Sequence, residues 1–249
     1  AFNHTSALLV PLGEQHGLAT SIVVHPDAAF EALDEASVQL FVVNALFWEM
    51  EGAKYDEFRA DWQFCVSLEQ AACLDRFVAR GGKLLGLHTA SICFSDLPAW
   101  SRYLGGHWRW PESFHPPIEA LLVNPTPAGE ALGLMAFEIE DELYCSLYRD
   151  ADSLPLMKAR NADGAEEVVV WRKEHGEARS AYSALGHDVT SVSQQISSGL
   201  LPTARMSASF PASIVPVISV RLIRSAALTV AAIRISLAGI PASAIKTAS

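Results

Sequence analysis

Apolar residues along this chain fall into two rhythms, separated by polar breaks that carry glycine. Val38-Gln39-Leu40-Phe41-Val42-Val43-Asn44 and Lys83-Leu84-Leu85-Gly86-Leu87 are nearly continuous apolar runs, the pattern of parallel strands covered on both faces. Residues 18–24, with the run Thr20-Ser21-Ile22-Val23-Val24, predict a third strand. Helical spacing lies between them. Thr5 or Ser6 is placed to cap a helix reaching about His16, with Pro11 inside it and Gly17 as its stop. Pro26 opens a short helix over 28–33. Ser67-Leu68-Glu69-Gln70 reads as a capping box, and its helix carries Leu74, Phe77 and Val78 on one side and stops at Gly81-Gly82. The aromatic-rich stretch 45–66 reads as a long loop, and 118–123, 168–171 and 180–185 read as further strands. This order predicts an α/β fold of three layers, a mostly parallel sheet with helices on both faces.

Composition narrows the partners. Half of the 249 residues are hydrophobic and 18% are charged, as in a soluble globular protein. The net charge of -10, with no Lys/Arg cluster, argues against nucleic acid. Cys65, Cys73, Cys93 and Cys145 show no zinc-knuckle spacing, and scattered single cysteines suit a reducing, cytoplasmic setting. The start shows no basic region followed by an apolar run, so no signal peptide is expected. Beyond Asp188 no acidic residue occurs, and Ser, Ala, Ile and Val dominate. Residues 193–249 are therefore expected to be an atypical extension, non-native or poorly ordered, following a domain over 1–192. The rival reading is a basic segment that touches a membrane.

Candidate chemistry sits at element ends. Gly86-Leu87-His88-Thr89-Ala90 reads as a sharp strand-to-helix turn, which pushes one side chain into a crevice and aims helix amides at it. His88 stands there, as a general acid/base, a metal ligand, or a core histidine bonded to a backbone carbonyl. In Ser113-Phe114-His115-Pro116-Pro117 the prolines fix the chain after His115, which reads as a presented ring or as a plain surface loop. Glu138-Ile139-Glu140-Asp141-Glu142 reads as a solvated face, or as the source of a carboxylate for a crevice histidine. In Gly186-His187-Asp188, Asp188 could orient His187, or His187 could cap a helix. His88 and His187 both follow predicted strands, so they are expected to face one crevice. No GxGxxG, P-loop, GxSxG, HxH or HExxH motif is present.

One family joins these pieces. The segment from Phe77-Val78-Ala79-Arg80-Gly81-Gly82 to His88-Thr89-Ala90 is followed by Tyr103-Leu104-Gly105-Gly106, His115-Pro116, Asp141-Glu142-Leu143-Tyr144 and Leu185-Gly186-His187-Asp188. This ordered series resembles the trehalose-utilisation (ThuA-like) family over about residues 3–192. The resemblance implies a flavodoxin-like fold related to class I glutamine amidotransferases, and a role in using a carbohydrate, a disaccharide or its keto derivative. Relatives of that fold place a cysteine at the elbow, where this chain has His88, so glutaminase activity is not implied. Such domains begin with a strand inside the sheet, placed before His4, which this chain lacks.

The leading expectation is a hydrolase or isomerase of sugars in which His88, His187 and Glu142 move protons. His4, Trp48, Thr89, Trp108, His115, Asp141 and Asp188 would contact the substrate, with Trp48 and Trp108 stacking on a ring. A divalent metal is the candidate cofactor, with His88, His115 and His187 as candidate ligands. The expected partners are a small-molecule carbohydrate and a second copy of the chain in a homo-oligomer, with no membrane. The alternatives are a sugar-binding or regulatory module without catalysis, and an inactive truncated product.

Overall fold

The computed structural model describes residues 2–201 and 217–220. Helix α1 (Phe2–Gln15) turns Leu8, Leu9 and Leu12 inward, and the chain leaves it through Gly17 at φ 76°. The helix begins before the expected Thr5 or Ser6 cap. Both hydroxyls are instead buried within it, where they accept the two amide hydrogens of Asn44 at 2.9 and 3.0 Å. Strands β1 (Thr20–Val23) and β2 (Leu40–Val43) flank α2 (Pro26–Ala32), and the His25 ring caps that helix at the Asp27 N–H.

Residues 45–66 are not one loop. A 3-10 turn at Ala53–Tyr55 and the short helix α3 (Arg59–Trp62) interrupt them. Phe47 and Phe64 leave the surface to join Phe30, Phe94 and Trp100 in an aromatic core, because full burial of a ring is worth about 1.5–3 kcal/mol. Helix α4 (Leu68–Ala79) carries the expected capping box, with Ser67 accepting from the Gln70 N–H and the Gln70 side chain from the Ser67 N–H. Ser67→Ala is expected to lower stability by about 1 kcal/mol, seen as a lower urea midpoint at unchanged slope.

After β3 (Lys83–Leu87) come α5 (Pro98–Leu104), β4 (Gly106–His107), β5 (Glu119–Pro125), α6 (Pro127–Ala131) and β6 (Phe137–Asp141). The chain continues through β7 (Tyr148–Arg149), β8 (Leu154–Arg160), β9 (Glu166–His175), β10 (Ala178–Ser183), α7 (Val189–Ser197) and β11 (Val217–Val220).

Nine of these strands form one sheet in the order β1-β11-β2-β3-β10-β9-β8-β5-β6. The expected mostly parallel sheet is corrected here. Pairs from β1 to β10 are parallel, but β10/β9, β9/β8, β8/β5 and β5/β6 are antiparallel. For β10/β9 the cause is a short connection. Only Gly176-Glu177 separates β9 from β10, and a two-residue link can join only antiparallel neighbours. β11 lies between β1 and β2, inside the sheet.

In the parallel half, alternate residues serve opposite faces. Phe41 and Val43 of β2 join the core under α2 and α4, whereas Leu40 and Val42 join the cluster under α1 and α7. Helix α7 runs through the boundary expected at 192, and Leu200 and Leu201 beyond it are buried. The rest of the expected extension lies outside the described residues, apart from β11.

Candidate active site

The parallel strands β3 and β10 end side by side, and the chain turns sharply after each. Gly86 permits the first turn: a Cβ there would meet Leu104 Cδ1 at 2.6 Å and Ala90 Cβ at 3.1 Å. His88 then enters a 3-10 turn (His88–Ser91) at φ 47°, a left-handed conformation that non-glycine residues seldom adopt. Buried groups hold it. The Tyr182 hydroxyl donates to the His88 carbonyl at 2.7 Å and lies 2.9 Å from the Ser91 hydroxyl.

The His88 side chain is also fixed, and buried. Its Nδ1 lies 2.8 Å from the Ala184 carbonyl, which only accepts, so Nδ1 carries the proton. In the neutral ring Nε2 is then a bare lone pair. The Tyr144 hydroxyl, 3.0 Å away, donates to it. Burial, followed by nearby Tyr182, Glu142 and Asp141, pushes the Tyr144 hydroxyl well above its ordinary range, which keeps it a donor.

Glu142 is the hub. Its Oε2 lies 3.4 Å from His88 Nε2, and its Oε1 lies 3.2 Å from His187 Nδ1 and 3.5 Å from His115 Nδ1. Burial alone would raise its pKa, but the contact with His88 and the charges of His88, His187 and His115 outweigh that and hold it below the ordinary value. His115 Nδ1 is also 3.1 Å from the Pro116 carbonyl, so its tie to Glu142 is shared. Trp108 stands edge-on to Tyr144 with ring centres 5.0 Å apart, and 6.2 Å from the His115 ring. Its buried indole N–H has no partner among the described residues.

Asp141 is fully buried and touches no cation among its described partners. Its carboxylate accepts from the backbone N–H of Gly186 at 2.7 Å, of His187 at 3.2 Å and of Glu142 at 2.9 Å, and from the Ser191 hydroxyl. One side chain thus fixes the backbone under two members of the cluster. Asp188 caps α7, accepting from the Ser191 N–H at 2.8 Å.

The structure therefore brings His88, His115, His187, Glu142 and Trp108 together. Thr89 is engaged elsewhere, donating to the Ala45 carbonyl at 2.5 Å. Trp48 is buried edge-on against Tyr55, and His4 is exposed on α1; no described contact joins either to the cluster. Asp141 and Asp188 hold backbone here, although the sequence suggested substrate contacts for both. Tyr144 was missed as a site residue, and its one signal was its place two residues after Glu142. Cysteine chemistry finds no support, since burial pushes Cys93 up to about 12 and Cys145 up to about 11.

His88 Nε2, the Glu142 carboxylate and His187 Nδ1 could also hold a metal ion, since their ligand atoms lie within 4.8 Å of one another.

A family model described as trehalose utilisation, ThuA, matches residues 7–204. The chain belongs to the ThuA family. Among solved structures it resembles a ThuA-like protein from Parabacteroides merdae, with 20% identity, a TM-score of 0.51, and 69% of this chain and 70% of that one covered. A second ThuA-like protein, from Bacteroides uniformis, is 11% identical with a TM-score of 0.44, covering 69% of this chain and 91% of that one. A β-galactosidase from Rahnella sp. R3 follows at 13% identity and a TM-score of 0.44, covering 68% and 32%. No curated protein matched. Family membership points this ThuA-family chain to carbohydrate utilisation, and no helix among its described residues is long and apolar enough to cross a membrane.

Proposed function

We propose that this chain processes a sugar, a disaccharide or its keto derivative, in the crevice beyond β3 and β10, by moving protons through His88, His187 and Glu142. One observation carries the reading: His88 is pinned at Nδ1, so that its Nε2 faces both a carboxylate and a phenol that stays protonated. That arrangement suits a ring which takes a proton from a sugar carbon or hydroxyl and returns it, as hydrolysis or isomerisation of a keto-sugar requires. Glu142 stabilises the imidazolium formed on His88. His115, half-exposed at the rim, and Trp108 contact the substrate, and the free indole N–H is a donor for a sugar hydroxyl.

The fold supports this placement. The parallel half, with α1 and α7 on one face and α2 and α4 on the other, reads as the three-layer, flavodoxin-like core, and ligands of such sheets sit beyond the carboxyl ends of the strands. Four free cysteines, three of them buried, fit a cytoplasmic setting.

The test is turnover of a panel of disaccharides and their keto derivatives, followed by proton NMR. His88→Ala should slow the processed substrate at least about 100-fold with binding retained. Equal turnover by the variant would remove His88 from the chemistry. Saturable binding with no turnover by the unaltered protein would make the chain a binding module.

A further inference from the structure

We propose that His88, Glu142 and His187 form a binding site for one first-row divalent cation. The inference takes from the preceding reading only that this crevice is the working site, and it does not depend on the sugar.

Two acceptor atoms of the cluster face each other, an arrangement that a cation suits. A carboxylate only accepts, and His88 Nε2 is a lone pair because Nδ1 is committed to Ala184. These two acceptors face each other across 3.4 Å, with His187 Nδ1 3.2 Å from the other carboxylate oxygen. The Tyr144 hydroxyl donates to Nε2 from one side, and a cation between Nε2 and the carboxylate would relieve the remaining contact of two acceptors. A tetrahedral site with ligand bonds of about 2.1 Å places its ligand atoms about 3.4 Å apart, and His88 Nε2 and Glu142 Oε2 stand at that distance. All three donor atoms lie within 4.8 Å of one another.

The surroundings match those of metal-ligating side chains. The His88 ring donates its other nitrogen to a backbone carbonyl, which fixes tautomer and orientation. The backbone N–H groups of both His187 and Glu142 are held by the buried Asp141. Two imidazoles and one carboxylate favour zinc, iron, cobalt or nickel over magnesium or calcium. His115 stays outside the set, since its Nδ1 is nearer the Pro116 carbonyl than Glu142.

The test uses the full chain, free of any histidine tag, titrated with Co²⁺ and followed by visible absorption. Zn²⁺ is then measured by calorimetry. One cation per chain and visible Co²⁺ bands are expected, with Glu142→Gln and His187→Ala each weakening binding at least about tenfold. Circular dichroism would establish that both variants fold. Absence of bands in folded protein, or binding that survives both substitutions, overturns the metal site and leaves the proton-transfer reading standing. Stoichiometric binding that both substitutions abolish upholds the site, even where His88→Ala leaves sugar turnover unchanged and the reading of function fails.

Discussion

Asp141→Ala should destabilise the protein by about 3 kcal/mol or more, although it removes only a short side chain. The carboxylate accepts from three backbone N–H groups and one hydroxyl, and it is fully buried. Each buried donor left without a partner costs about 1–3 kcal/mol, and hydrogen bonds to a charged group are the stronger kind. The effect should reach the site as well, because those amides set the backbone of Glu142 and His187. Gly186, at φ 118°, cannot be replaced to tighten the turn by other means, since side chains rarely adopt that conformation. Urea unfolding of Asp141→Ala and Asp141→Asn gives the measurement. The asparagine variant should recover part of the loss, because its carbonyl oxygen still accepts. An unchanged midpoint for the alanine variant would show that Asp141 is not the tie between β6 and the start of α7.

Trp171→Ala is expected to cost about 3–5 kcal/mol, the usual range for emptying a large buried aromatic site. Trp171 is fully buried in β9, its indole N–H donates to the Leu104 carbonyl at 2.9 Å, and its ring lies 4.4 Å from that of Tyr182. Tyr182 in turn holds the His88 carbonyl. The cavity therefore opens beneath the group that maintains the left-handed turn at His88. Trp171→Phe keeps most of the packing and loses the hydrogen bond, so it should fall well short of the alanine loss. Thermal unfolding of the two variants separates these contributions. Equal losses would place the whole effect in the hydrogen bond.

Much of the parallel half was legible because its strands are buried on both faces. Val38 to Asn44 and Lys83 to Leu87 are apolar without alternation, and the capping box at Ser67 marks the helix between them. The antiparallel half was harder to read. β6 carries Glu138 and Glu140 on its exposed face and Ile139 and Asp141 on its buried one. Four acids in five residues therefore resembled a solvated surface, and the alternation beneath them passed unnoticed. β8 contains Pro155 and Lys158, both poor strand signals. The turn Gly176-Glu177 was the available clue that β9 and β10 are a hairpin.

The cluster was legible as residue types at element ends, with His88 and His187 expected in one crevice because both follow strands; that Glu142 reaches them from the antiparallel edge of the sheet was not legible. Spacing could not separate a core histidine from a chemical one at position 88, and the geometry makes His88 both: one nitrogen serves a backbone carbonyl and the other faces the crevice. Asp141 and Glu142 are neighbours with opposite tasks, which only the direction of each side chain distinguishes. The stretch 45–66 shows the converse failure. It read as a long loop, but Phe47 and Phe64 are core.

The cluster draws on both halves of the sheet. His88 comes from the end of β3 and His187 from the turn after β10, whereas Glu142 and Asp141 arrive with β6 at the far antiparallel edge. Hydrogen exchange at the Gly186 and His187 amides should therefore report on opening of the β5–β6 edge, since the acceptor of both lies on β6. A partial unfolding that frees this edge dismantles the cluster while the parallel strands stay paired. In this chain the loss of function would then precede the loss of the fold.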